Sequence, residues 1–122
     1  MKVKFVTWGN LPGKGKRCTK ADLIVDVRHL PNPHFDPALK ELDGRDLRVR
    51  EYIIRRPGTL TEVERLLRAV RGADASGGEL VTIGLFCTGG RHRSVALAEI
   101  VADRLRTYGD EVTCEHTALS LS

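Results

Sequence analysis

The sequence is poor in the features that mark secreted, metal-binding and membrane proteins. It contains only three cysteines in 122 residues, an odd number without the spacing of metal-ligand pairs. It therefore predicts no disulfide framework, no zinc or other metal site and no cofactor. No apolar run is long enough to span a bilayer, and the N-terminus lacks the apolar region of a signal peptide. We expect a soluble, cytoplasmic protein with no membrane partner.

Charge of one sign is in only modest excess. The chain has 20 lysines and arginines against 16 aspartates and glutamates, a formal net charge of +4 at pH 7, which favours anionic over cationic partners. The same balance fits a solvated surface of mixed charge with no nucleic-acid partner. Apolar residues make up 41% of the chain, enough for one domain over residues 1–122 with a single core.

Strand-like and helix-like patterns alternate along the chain. The most apolar run, at 80–87, predicts the central strand, and the apolar run at 23–27 predicts a strand buried on both faces. The helix predicted at 94–107 has a wide apolar face, so it should pack between two layers. The remaining predicted elements are strands near 2–5 and at 111–116, and helices at 38–42, 46–56 and about 61–71. This alternation predicts an α/β fold, a single-domain layered sandwich with a small mixed, largely parallel sheet covered by helices.

Glycine and proline predict the loops of the first half. Residues 10–20 are rich in glycine and lysine, which predicts a flexible basic loop. Three prolines within residues 31–37 predict a rigid extended segment rather than a helix. Asp36, followed by proline, predicts the N-cap of the short helix at 38–42.

Cap signals bound the long helix that follows. Thr61 and Glu64 form a capping-box pair, which predicts the first turn of the helix. Gly72 predicts its end, because glycine is the preferred residue just past the last turn. Residues 73–78 then predict a surface loop.

The stretch FCTGGRHRSV, residues 86–95, joins the predicted central strand to the next helix through two glycines. Such a loop lets successive backbone N–H groups converge on an anion at the positive end of the helix. Arg93 can add a two-pronged contact from a solvent-facing guanidinium, and Thr88 and Ser94 can add hydroxyl donors. The stretch predicts a phosphate-binding loop. The alternative is a glycine turn that only connects strand to helix.

The same stretch also has the Cys-x5-Arg spacing of cysteine phosphatases. In that alternative Cys87 is the nucleophile, Arg93 holds the phosphate and Asp36 is the general acid. A simpler interpretation makes Cys87 a small buried side chain at the end of a strand and Asp36 a helix cap. We expect binding without catalysis, and hence no catalytic residues.

Two blocks, DVRHLPNPHFDP and CTGGRHRSV, together resemble the C-terminal domain of the RNase adapter protein RapZ, and the resemblance extends over nearly the whole chain. It implies a sensor or adapter domain that binds glucosamine-6-phosphate and forms a homo-oligomer. It also implies regulatory RNA and an RNA-processing protein as macromolecular partners. In that family a separate N-terminal kinase-like domain holds the nucleotide site. The chain resembles a free-standing sensor half.

The resemblance also implies a set of ligand-binding residues. A glycine loop with an arginine would hold the phosphate, while acid, amide and imidazole groups would read the hydroxyl and amino groups of the sugar. The first block contributes Asp26, Arg28, Asn32 and His34, and the second contributes Thr88, Gly89, Gly90, His92, Arg93 and Ser94.

Two departures from the family bear on RNA binding. The segment WGNLPG lacks the nearby cations of the family's early segment, and TALSLS replaces its basic C-terminal tail. Phosphate-backbone contacts supply much of the affinity for nucleic acid, so we expect weak and steeply salt-dependent RNA binding. The cations that could compensate, if they share one face, are Arg48, Arg50, Arg55, Arg56, Arg104 and Arg106.

Overall fold

The computed structural model describes residues 1–75, 77 and 79–119, and its centre is a four-stranded sheet. The strand order is β2-β3-β1-β4, and every pairing is parallel. The sequence predicted a mixed, largely parallel sheet, and the sheet is wholly parallel. The strands are β1 (Lys2–Gly9), β2 (Leu23–Asp26), β3 (Leu80–Cys87) and β4 (Glu111–His116).

Two of the three α-helices pack on one face of the sheet, and the other packs against these two. The crossovers from β2 to β3 and from β3 to β4 run in the same direction across the sheet, so right-handed connections place their helices on the same side. The helices are α1 (Leu47–Ile54), α2 (Thr59–Ala75) and α3 (Arg93–Thr107), and a short 3-10 helix spans Pro33–Phe35. That 3-10 turn lies in the proline-rich segment for which the sequence predicted no helix. None of the helices in the described ranges is long and apolar enough to cross a membrane.

The core lies between the sheet and the helices α2 and α3. Phe5 and Leu85 are fully buried there against Leu66 of α2 and Leu97 of α3. Helix α1 packs on the far side of α3, where its buried side chains meet Ala96. The helix α3 therefore lies between two layers, which confirms the prediction from its wide apolar face.

The other sheet face is packed differently. The Trp8 ring lies directly over Gly84, where an added Cβ would come within 2.7 Å of the indole. Trp8 also stacks on Phe86, with ring centroids 5.6 Å apart. The irregular segment 16–20 lies beside Val6 on this face. In the described part of the chain the fold is thus a layered α/β sandwich with α-helices on one side of the sheet only.

The prediction that residues 23–27 form a strand buried on both faces is wrong. Strand β2 lies at the edge of the sheet, and Leu23 and Ile24 are 37% and 36% exposed. An unbroken apolar run is typical of central parallel strands, and hydrophobicity alone does not distinguish them from an edge strand.

Two helix predictions are also wrong. Residues 38–42 form turns rather than a helix, although Asp36 does cap the segment by accepting a 2.9 Å hydrogen bond from the Ala38 N–H. So short a segment closes too few hydrogen bonds to propagate as a helix.

Helix α2 begins at Thr59 and not at the predicted capping box. The Thr59 hydroxyl donates to the Ile53 carbonyl at 2.7 Å, and Gly58 has the positive φ, +89°, that turns the chain into the helix. The helix continues through Gly72 to Ala75, so residues 73–75 of the predicted surface loop are helical. A glycine inside a helix costs only about 1 kcal/mol, which packing of α2 on the core overcomes. Positions 76 and 78 of that predicted loop lie outside the described residues.

Candidate functional site

A cleft of about 320 Å³ opens at the carboxyl edge of the sheet, beside the ends of β1 and β3. In parallel α/β folds this edge is where ligands bind, because the loops that leave the strands meet there. The cleft is lined by Leu11, Lys14, Asn32, His34, Cys87, Thr88, Gly89, Arg91, His92 and Arg93.

Backbone packing holds the loop of residues 88–92 against the end of β1. Gly90 has φ +70°, and an added Cβ would lie 2.5 Å from the Gly9 nitrogen. Directly after β1, the N–H groups of Asn10 and Leu11 donate to the carbonyls of Cys87 and Thr88 at 2.8 and 3.2 Å. The close approach therefore requires glycine at position 90 and fixes the shape of the loop.

Arg93 is buried, with only 6% of its surface exposed, at the first position of α3. One guanidinium nitrogen, Nη1, donates to the carbonyl of Arg28 at 2.6 Å and to that of Leu30 at 3.3 Å, while Nη2 donates to the Thr88 hydroxyl at 3.1 Å. The sequence predicted a solvent-facing guanidinium, and that prediction is wrong. Arg93 thus connects the segment after β2 to the glycine loop and places its guanidinium at the cleft wall.

The electrostatics of the cleft favour an anion. Lys14, Arg91 and Arg93 line it, and no aspartate or glutamate of the described residues does. Helix α3 starts at the cleft, and its N-cap residue makes no side-chain cap hydrogen bond. The first N–H groups of the helix and its dipole therefore add to the positive potential.

The imidazole of His92 is a neutral hydrogen-bond donor inside this wall. Its Nε2–H donates to the Leu39 carbonyl at 3.2 Å, and the residue is only 5% exposed. Burial lowers the pKa of His92 below its ordinary value, against an opposing effect of the Leu39 carbonyl. His34 also lines the cleft, with its ring centroid 6.3 Å from that of His92. Its backbone N–H donates to the Asn32 side chain at 3.0 Å.

The lowered pKa of His92 predicts a pH-dependent stability. Below the unfolded value of about 6.5 the unfolded chain binds a proton that the folded His92 does not, so the free energy of unfolding falls as pH falls through that range. Urea unfolding between about pH 7.5 and pH 5.5 measures this slope. We expect a shallower slope for His92→Gln than for the parent. Equal slopes would contradict the assignment.

The structure brings six of the ten predicted ligand-binding residues to the cleft and leaves four outside its lining. The six that line it are Asn32, His34, Thr88, Gly89, His92 and Arg93. Gly90 packs under the loop, and Ser94 is fully buried. Asp26, the last residue of the edge strand β2, binds Arg28 at 2.7 Å, and this pairing lowers the pKa of the Asp26 carboxyl.

The phosphatase alternative needs a thiol, a cation and an acid at one place. Cys87 lines the cleft, with its Sγ 3.2 Å from the Ser94 hydroxyl, and Arg93 lies beside it. Asp36 does not line the cleft, and its carboxylate already caps the following turn. The cleft thus brings a thiol and a guanidinium together without the predicted acid.

Sequence reasoning missed three lining residues, Leu11, Lys14 and Arg91. Residues 10–14 turn back on the end of β1, where the Gly9 N–H donates to the Lys14 carbonyl at 2.6 Å. Arg91 donates through Nε to the Leu42 carbonyl at 2.9 Å and through Nη2 to the Glu41 carbonyl. The closely spaced glycines at 9, 13 and 15 were the one signal that the basic loop turns back rather than extending.

The sequence matches the RapZ C-terminal domain family over residues 1–120. The chain belongs to this family. Several curated relatives carry the name nucleotide-binding protein. The relative from Thermobifida fusca (strain YX) is 46% identical over 105 residues, which are 81% of this chain and 35% of the relative. The relative from Rubrobacter xylanophilus is 50% identical over 88 residues, 69% of this chain and 29% of the relative.

A third relative, from Sphingopyxis alaskensis, is 48% identical over 103 residues, 81% of this chain and 33% of the relative. The chain thus spans about a third of the length of the curated relatives it matches. The family match confirms the resemblance that the two sequence blocks indicated. As a RapZ C-terminal domain, the chain carries the glycine loop at the carboxyl edge of a parallel α/β sheet.

Proposed function

We propose that this RapZ C-terminal domain is a sensor that binds a small phosphorylated metabolite, an amino-sugar phosphate such as glucosamine-6-phosphate, in the cleft. The observation that carries the proposal is the lining itself, in which three cations and the start of a helix converge and no acid of the described residues takes part. An anion entering this cleft meets positive potential from three cationic side chains and a helix N-terminus, and no acidic side chain of the described residues.

Different residues of the cleft would contact the phosphate and the sugar of such a ligand. The phosphate would lie at the glycine loop, near Lys14 and Arg93. The Asn32 amide and the His34 ring, which also line the cleft, would contact the sugar hydroxyl and amino groups. The volume of about 320 Å³ lies at the lower end of small-molecule sites, which favours a monosaccharide phosphate over a larger ligand.

A nucleotide is the rival ligand suggested by the names of the relatives. Those names describe whole proteins, of which this chain spans about a third. The size of the cleft and the implied location of the family's nucleotide site in a separate domain both argue against a nucleotide here. Titration with ATP beside the sugar phosphate distinguishes the two ligands.

Lys14 offers the sharpest test of the cleft, because a matched lysine lies nearby. Lys14 lines the cleft and Lys16 does not. Loss of one charge-assisted contact to the phosphate should weaken glucosamine-6-phosphate binding by about tenfold in Lys14→Ala. We expect Lys16→Ala to bind like the parent in calorimetric titrations. Equal loss in both variants would mean that only the overall charge matters.

Cys87 is expected to be structural, because the predicted acid does not reach the cleft. Cys87→Ser should keep the parent's affinity for glucosamine-6-phosphate, since the serine hydroxyl can still contact Ser94. The parent should hydrolyse aryl phosphates no faster than buffer does. Turnover that disappears in Cys87→Ser, with rapid alkylation of Cys87 at neutral pH, would instead support a cysteine phosphatase.

RNA, an RNA-processing protein and a second copy of the chain stay predictions from the resemblance. Of the six arginines that could compensate for the missing basic tail, four pair with carboxylates within the domain: Arg48, Arg50, Arg55 and Arg106. Their charge is thus largely neutralised locally. This supports the expectation that RNA binds weakly and with a steep dependence on salt.

A further inference from the structure

Away from the cleft, three side chains that can ligate a metal converge between β4 and α3. Cys114 and His116 lie two residues apart on β4 and therefore point to the same face of the strand. Glu99 of α3 faces them. One ligand atom from each side chain lies within 4.8 Å of the other two, and all three residues are partly buried. None of them lines the cleft.

The orientation of the imidazole is set by two contacts. His116 Nε2 is 2.8 Å from the Glu99 Oε1, and Nδ1 is 2.7 Å from the hydroxyl of the buried Thr7. A histidine that binds a metal through one nitrogen needs a partner such as this hydroxyl at the other. The contact with Thr7 thus holds Nε2 toward Glu99 and Cys114.

The surrounding charges are compatible with a divalent cation. Arg50 lies 3.6 Å from Glu99 Oε2, which leaves Oε1 directed at His116. The same arginine also binds Asp103 at 2.9 Å. A thiolate at Cys114 and the Glu99 carboxylate together carry two negative charges, so they would neutralise a divalent cation while Arg50 stays paired with Asp103.

The ligand types indicate which cation fits. A thiolate, an imidazole and a carboxylate are a mixed set that suits Zn²⁺, whereas Mg²⁺ and Ca²⁺ prefer oxygen ligands alone. Burial, together with the neighbouring Glu99, raises the pKa of the Cys114 thiol to about 12. Without a cation the thiol is therefore protonated, and metal binding must release its proton to solvent.

We propose that Glu99, Cys114 and His116 form a zinc site that joins β4 to α3. Cys114 Sγ, His116 Nε2 and Glu99 Oε1 occupy three positions of a tetrahedron, and water takes the fourth. On binding, the Cys114 thiol proton and the Nε2 proton that faces Glu99 leave to solvent, and Nδ1 takes up a proton from solvent, which it donates to the Thr7 hydroxyl. The cation stabilises the attachment of an edge strand to the central helix.

The positions of these three residues in the sequence do not indicate that they form a cluster. Cys114-x-His116 supplies only two ligands, and the third lies 15 positions before the cysteine, on a helix. The expectation of no metal site rested on the spacing of cysteines alone. The parallel sheet and the α3 crossover are what bring Glu99 to the strand.

The test uses the full chain, freed of metal by chelator and titrated with Zn²⁺ against a competing chelator. We expect one Zn²⁺ per chain and a higher melting temperature with zinc. With Co²⁺ as a probe, we expect a thiolate-to-cobalt charge-transfer band. Cys114→Ser should remove that band, and both Cys114→Ser and Glu99→Gln should weaken zinc binding by at least about tenfold.

Two control variants separate this site from other ligands. Cys18→Ser removes another partly buried cysteine, and His34→Gln removes a histidine of the cleft; both should bind zinc like the parent. The proposal is overturned if the parent binds no stoichiometric zinc, or if Cys18→Ser or His34→Gln loses binding while Cys114→Ser retains it. If Cys114→Ser does not fold, the cobalt spectrum of the parent and the affinity of Glu99→Gln decide the question.

Discussion

Replacing Arg93 with alanine is expected to abolish glucosamine-6-phosphate binding and also to destabilise the fold. The guanidinium is buried and donates to the carbonyls of Arg28 and Leu30 and to the Thr88 hydroxyl. Its removal leaves these acceptors without a donor, which should lower the free energy of unfolding by roughly 2–4 kcal/mol. Urea unfolding and calorimetric titration measure the two effects.

Arg104→Ala is the matched control for this change. It removes the same charge from an exposed position of the same helix, so it should leave stability and binding close to those of the parent. Arg93→Lys keeps the positive charge but lacks the forked N–H donors of the guanidinium. We therefore expect its stability and affinity to lie between those of the parent and of Arg93→Ala. A parent-like affinity in a folded Arg93→Ala would show that Arg93 does not contribute to the site.

The second large effect is expected at Gly90. Alanine there would have to adopt φ +70°, and its Cβ would lie 2.5 Å from the Gly9 nitrogen and 2.7 Å from the Trp8 carbonyl carbon. Left-handed backbone costs an alanine about 1–2 kcal/mol even without a clash. We therefore expect Gly90→Ala to lower the free energy of unfolding by more than about 2 kcal/mol and to distort the glycine loop. Denaturant unfolding tests the first expectation and ligand titration the second.

Gly89→Ala provides the adjacent comparison. A Cβ at Gly89 meets nothing within 4 Å, so its stability should stay within about 0.5 kcal/mol of the parent's. Equal destabilisation at both positions would mean that the loop responds to lost glycine flexibility alone. That result would contradict the close contact between Gly90 and the end of β1.

The regular elements of the second half are predicted closely by the sequence. Strands β3 and β4 have the predicted bounds, and α3 begins one residue before its predicted start. Their apolar patterns reflect burial on the core side, which is a local signal. The start of α2 depends instead on Gly58 and on the Thr59 hydroxyl reaching the Ile53 carbonyl. That contact depends on where α1 ends, which the cap residues alone do not specify, so the sequence indicates a different cap.

The candidate site shows the same division between local and long-range information. The glycine loop is contiguous in sequence, so its glycines and Arg93 could be identified directly. The burial of Arg93 could not, because its partners are carbonyls more than 60 positions away. Lys14 was missed for the same reason, since its position depends on how residues 10–14 fold back over the end of β1.

The central claim, that the cleft binds a phosphorylated sugar, is tested most directly by calorimetric titration of the parent with glucosamine-6-phosphate, glucosamine and inorganic phosphate. We predict saturable binding of one glucosamine-6-phosphate per chain, weaker binding of phosphate and none of glucosamine. Titration with inorganic phosphate tests the contacts of the glycine loop alone, and titration with glucosamine tests the contacts to the sugar alone. Glucosamine binding as tightly as its phosphate, or no binding of either phosphate compound, would contradict the account.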